Sequence, residues 1–147
     1  MAKTGMLDKI FPARYDFYKM LGNQAQSNSG AVNALVDWLG SAAQSDAERL
    51  DDYAGKADAI RKELEKQLVE AFSTPFDRGD LYSISVTMHR CLEYARSTLV
   101  SMQAFEVAPD GIVHSMAAKL KFGAETFASS VVALRSAPGK AELLIPP

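Results

Sequence analysis

Few residues in this chain have the chemistry for catalysis or ligand binding. It carries one cysteine, Cys91, and two histidines, His89 and His114. Cys91 falls beside a run of apolar positions at helical spacing, where a small soft side chain fills core space, so packing outweighs a nucleophilic role. His114 follows Pro109 by five residues and is expected on the exposed side of a helix. The stretch SAPGKAE sets a lysine after a glycine but lacks the spacing of a phosphate-binding loop. The most informative segment is FSTPFDRGDLY, Phe72 to Tyr82, which could be a catalytic loop, a ligand cradle or a corner between helices. Thr74, Pro75, Phe76 and Asp77 fit an N-cap, a first-turn proline and an acid at the third position. Asp77, Arg78, Gly79 and Asp80 fit a second cap three residues later. Either frame starts a helix and sets carboxylates in its first turn, where free N–H groups and the positive dipole end favour them. The tripeptide Arg78-Gly79-Asp80 also spells an adhesion motif, which at a helix start in a cytoplasmic chain is a coincidence.

The elements that must position these residues are helical. Leu50, Tyr53, Ala57, Ile60, Leu64, Leu68 and Ala71 recur at three- and four-residue steps within Gln44 to Phe72. Leu81, Ile84, Met88, Leu92, Ala95, Leu99 and Met102 do the same from Leu81 to Phe105. Another stripe, Ile112, Met116, Leu120, Ala124, Phe127, Val131 and Leu134, begins after Pro109, which fits a first turn, and stops before Pro138-Gly139. The first helix, Pro12 to about Gly40, keeps the spacing through Tyr18, Leu21, Ala25, Asn28, Val32, Leu35 and Leu39. Its Gly22 and Gly30 each weaken it by up to about 1 kcal/mol. No strand alternation appears. Four helices of about 25 residues joined by short turns bury their stripes only against one another, which predicts an all-α, elongated antiparallel bundle. On this pattern Met88, Met102 and Met116 are core residues. Trp38 and the Tyr15, Phe17, Tyr18 cluster are expected to pin the first helix to the bundle rather than to form a docking surface.

Composition sets limits on function. The 147 residues make one domain, 1–147, and a net charge of −2 gives no basic footprint for nucleic acid. A lone cysteine excludes an internal disulfide. The longest apolar runs, AVNALVDWL and SSVVAL, fall far short of the roughly 20 residues that span a bilayer, and the start lacks a signal-peptide core. The expectation is a cytoplasmic protein with no direct membrane insertion.

The corner carries a family resemblance. AFSTPFDRGDLYSIS, preceded by KADAIRKELEKQL and followed by MHRCLEYA, resembles the PhoU-like phosphate-transport-regulator family, in the branch often encoded beside Pit-type phosphate transporters. The likeness runs from about Phe11 to Arg135 and is most specific at the corner, where Gly79 replaces the usual glutamate. It implies a PhoU-like helical bundle in the cytoplasm and a role in phosphate uptake or its regulation. In several members it also implies metal ions held by acidic pairs four residues apart. Carried over, the second-helix pair falls on Ala54 and Asp58, and the third-helix pair on His89 and Glu93, which leaves Asp58, His89 and Glu93 as the metal candidates.

His89 and Glu93 share a helix face, and Asp58 flanks its own stripe. Counted from Asp77, however, Asp58 and His89 sit at heights that differ by about 10 Å. One imidazole and one or two carboxylates suit zinc, iron or manganese, but the Glu-x-x-His pairs of di-iron bundles are absent. Salt bridges from Arg61 or Arg96 to the nearby acids are the favoured alternative. No cofactor is expected, and a divalent or iron-type ion would bind weakly at most. The family commonly continues past Arg135 into a further helix with another acidic pair, whereas this chain reaches AELLIPP, so it is either a truncated piece or lacks that second site. Leu143, Leu144 and Ile145 cannot make a stable helix before Pro146 and Pro147.

The reading is a non-enzymatic regulatory or accessory protein of phosphate transport, acting by contact with a membrane transporter or a signalling protein. Association into homo-oligomers is expected through the apolar tail and the aromatic first helix. A structural adaptor unrelated to phosphate and a metal-binding bundle of ferritin-like type are the alternatives.

Overall fold

The computed structural model describes residues 15–136. Pro12 and the tail from Ala137 to Pro147, on which two of the expectations rest, lie outside the described residues. Within them are α1 Phe17–Ser41, α2 Gln44–Glu70, α3 Arg78–Ala104 and α4 Gly111–Ala133, with no strand. The all-α bundle is therefore borne out.

Local chemistry sets the helix ends. Asp16 opens α1 by accepting the Lys19 amide at 3.0 Å. α1 closes at Ala42, whose positive φ of 53° lets its amide reach the Trp38 carbonyl at 2.7 Å. Asp110 caps α4 through the amides of Ile112 and Val113, at 2.9 and 2.8 Å. Pro109 thus precedes the cap and is not in the first turn, because the aspartate next to it offers an acceptor that proline cannot.

Two apolar clusters run along the bundle. One holds Phe17, Leu21, Leu64, Leu68, Leu81 and Met88, near the α2–α3 corner. The other holds Leu35, Trp38, Leu50, Leu92, Leu99 and Met102, at the opposite end. Trp38 and Phe17 are buried, and the Tyr15 hydroxyl donates to Glu70 at 2.8 Å, so the aromatic residues do pin α1 in place. At Gly30 a Cβ would come within 2.6 Å of the Tyr53 ring, so the glycine that weakens α1 also lets α2 lie against it.

Among the described residues the four helices do not close on every side. α1 packs against all three other helices and α2 packs against α3, but no Cα of α3 lies within 8 Å of one in α4. The core assignment of α4 is accordingly corrected. Ile112 and Met116 are 70% and 65% exposed, Phe127 is also exposed, and the buried residues are Ala117, Ala128, Ser130 and Val131. α4 lies on α1 along its small residues, which leaves its bulkiest apolar line facing the open α3–α4 seam. Among the described residues no helix is long and apolar enough to cross a membrane.

Candidate functional site

The corner motif joins α2 to α3, and its polar groups serve backbone. Asp77 accepts the amides of Gly79 at 2.7 Å and Asp80 at 3.3 Å, so of the two possible frames α3 starts in the later one. Thr74 instead donates its hydroxyl to the Phe76 carbonyl at 2.7 Å, and Pro75 stays in the exposed connection. Phe76 is half-buried, with its ring 5.9 Å from that of Tyr18. Asp80 is exposed in the first turn of α3, where the helix dipole favours its charge. Arg78 has a role that the sequence reading missed. Its guanidinium donates to the carbonyls of Leu68 and Ala71, each at 2.5 Å, and to that of Phe72 at 3.3 Å. It closes the end of α2 from the first residue of α3, satisfying carbonyls that have no partner within the helix.

A polar layer separates the two apolar clusters. In α1, Asn28 lies between Ala25 of one cluster and Ala31 of the other, and its amide donates to the Met88 carbonyl at 2.6 Å. One turn earlier, Gln24 donates to the Ser85 carbonyl at 2.9 Å and accepts the Ser85 hydroxyl at 2.7 Å. Both side chains are fully buried. The signal for this layer was in the sequence, since Asn28 stands on the apolar stripe of α1 and Gln24 precedes it by four residues.

Asp58 and His89 lie at the same level on α2 and α3. His89 Nδ1 is 3.9 Å from Asp58 Oδ1 and has no hydrogen-bond partner. The expected height difference is corrected by the corner. Asp58 stands twelve residues before the last residue of α2, and His89 eleven after the first of α3, while Ala71 to Asp77 between them add no helical rise. Glu93 does not join the pair: it shares the His89 face but lies about 6 Å further along α3, at an exposed position. Ala54, at the other family position, is buried in the apolar cluster. Asp58 is already paired with Lys62 at 2.7 Å and Arg61 at 2.8 Å, and Arg61 also reaches Glu65. The Lys62 hydrogen bond first, then that of Arg61, hold the Asp58 carboxyl below its usual range. The same aspartate raises the Arg61 guanidinium. Arg96 bridges to Asp51 at 2.8 Å across α3 and α2. Among the described residues no three His, Cys, Asp or Glu side chains gather as a metal-binding group.

The open seam forms an apolar groove of about 500 Å³, floored by Ala25 and Val32 of α1 and walled by Ile84 and Cys91 of α3 and by Leu120 and Phe127 of α4. Cys91 is half-buried there, and burial pushes its thiol up. Lys119 is the charged side chain of the lining. His114 is exposed on α4.

No known protein family matches the chain, and no solved structure matches it. The chain is similar to a protein of Rhizobium meliloti (strain 1021) named "Putative pit accessory protein", with 26% identity over 104 residues, covering 69% of this chain and 49% of the relative. The chain therefore spans about half the length of the curated relative that it matches.

Proposed function

We propose that this chain is a non-enzymatic accessory protein of inorganic phosphate transport, acting on the cytoplasmic side by contact with a Pit-type transporter or a signalling partner. The observation that carries the reading is the similarity to the Rhizobium meliloti protein named as a pit accessory protein. The PhoU-like resemblance of Thr74 to Asp80 points the same way. The chemistry of the side chains supports contact over catalysis. Asp77 and Arg78 serve helix ends, Asp58 is held by two cations, and Cys91 lies in an apolar wall with a raised thiol pKa. A nucleophile needs a lowered pKa or an adjacent base.

Initial rates of radiolabelled phosphate uptake, measured in the source organism with and without the gene, test this reading. Deletion is expected to change uptake through the low-affinity system several-fold, with recovery when the chain is supplied again. The chain is also expected to co-purify with the Pit transporter from solubilised membranes. Unchanged uptake overturns the proposal and favours an adaptor unrelated to phosphate.

A further inference from the structure

The four helices are not held equally. α1, α2 and α3 each pack on the other two, whereas among the described residues α4 packs on α1 alone. Every buried leucine, phenylalanine, tryptophan and methionine among them belongs to α1–α3, and α4 sends only Ala117, Ala128, Ser130 and Val131 inward. Apolar burial is the main attraction between packed helices, so α4 is held by less than its neighbours are. Polar bonds divide the molecule in the same place. Gln24 and Asn28 tie α1 to Ser85 and Met88 of α3 inside the core, and Arg78 and Arg96 tie α3 to α2. α4 keeps its polar groups to itself: Asp110 caps it, and the buried Ser130 hydroxyl donates to the Thr126 carbonyl at 2.9 Å. Among the described residues its polar link to α1 is the exposed ion pair of Arg135, just past its end, with Asp16, and exposed pairs hold weakly. The end of α3 is closed without α4, since Glu106 at a φ of 52° brings the Val107 amide to the Met102 carbonyl at 2.9 Å.

We propose that α4 is a releasable helix: it leaves α1 and unfolds as a unit, turning on the connection at 105–110, while α1–α3 stay folded. Gly123 in its middle, with Thr126, Val131 and Val132, makes it a poor helix once the α1 contact is gone. For a protein that works by contact, as proposed above, this opening is a switch. It bares the α1 face that Ala117, Ala128 and Val131 cover, and a partner that binds this face shifts the chain toward the open form.

Hydrogen exchange of the full chain, read by mass spectrometry of its peptides, tests the proposal. Amides of residues 115–133 are expected to be at least about tenfold less protected than those of the α1–α3 core. Ser85→Ala separates a local opening from a general one. It weakens the α1–α3 core, which is intact in both the closed and the open form, so protection of α1–α3 should fall at least about fivefold while that of α4 stays the same. Gly22→Cys with Val132→Cys, in a Cys91→Ala background, supplies a clamp, because a Cβ at Gly22 lies 3.7 Å from Val132 Cγ2, within disulfide reach. The oxidised clamp should raise the protection of α4 to that of α1, and a reductant should undo it. Equal protection of α4 and α1–α3 in the wild type overturns the proposal, as does an α4 that loses protection together with α1–α3 in Ser85→Ala. A clamp that leaves α4 exchange unchanged also overturns it, since α4 would then melt in place on α1.

Discussion

The buried Gln24–Ser85 pair permits a double-mutant cycle with a worked sign. Ser85 Oγ donates to Gln24 Oε1 at 2.7 Å, and no water reaches either residue. Ser85→Ala removes the donor and leaves a buried amide oxygen unpaired, at a cost of about 1–3 kcal/mol. Gln24→Met keeps an unbranched side chain of similar length and removes both polar atoms. The Ser85 hydroxyl left behind can turn to the carbonyl one helical turn back, so this change should cost about 1 kcal/mol. With both substitutions no buried polar atom of the pair is stranded, and stability should return to within about 1 kcal/mol of the wild type. At about 2–4 °C per kcal/mol for a chain of this size, Ser85→Ala lowers the melting temperature by roughly 2–12 °C, and the double variant recovers most of it. Helical circular dichroism followed through heat and urea measures all four corners of the cycle. Single effects that add to within about 0.5 kcal/mol would refute the reasoning, because the two side chains would then not be sensing one another.

Two further perturbations test the corner and the charged layer. Arg78→Ala should cost about 1–2 kcal/mol in a urea titration by freeing the carbonyls that end α2, and Arg78→Lys should restore less than half, since a lysine keeps the charge but lacks the fork. Equal stability of all three forms would mean that α2 ends without this residue. The Asp58 carboxyl is held below the usual carboxylate range by Lys62 and then Arg61, so its contribution is present above about pH 4 and is lost as pH falls through the lower folded value. Asp58→Asn should therefore destabilise the protein at neutral pH and flatten the acid limb of its stability profile. A variant with the same acid limb as the wild type would show that the pairing does not persist in solution.

How far the sequence could be read depends on what kind of interaction each part reports. Helix existence and position were legible because the three- and four-residue steps of α2 and α3 are long and uninterrupted. The observed spans, Gln44–Glu70 and Arg78–Ala104, end within three residues of the expected ones. Helix ends turn on single hydrogen bonds, and there the reading was weaker. Thr74 and Asp77 both have the chemistry of a cap, and only the path of the chain decides which side-chain oxygen meets free amides. The level of Asp58 against His89 was missed for a related reason. Counting from Asp77 gave helical rise to seven connecting residues that have none.

The misreading of α4 has a different origin. Periodicity identifies an apolar face but not the surface that will cover it, and α4 has two candidate faces. Ile112, Met116 and Phe127 offer more apolar area, whereas Ala117, Ala124 and Ala128 offer closer approach. α1 presents Gly22 to this helix, where a Cβ would sit 3.7 Å from Val132 Cγ2, so the Val132 side chain lies close over the glycine. Small residues on both sides bring many atom pairs within range, and the summed dispersion offsets the smaller area that each alanine buries. Once α1 holds the alanine line, helical geometry fixes the bulky line beside the seam, and no rearrangement within the four helices can bury it without losing that contact. Gly123→Arg and Met116→Lys therefore point into space left open among the described residues, and each should leave the melting curve of the chain where it was.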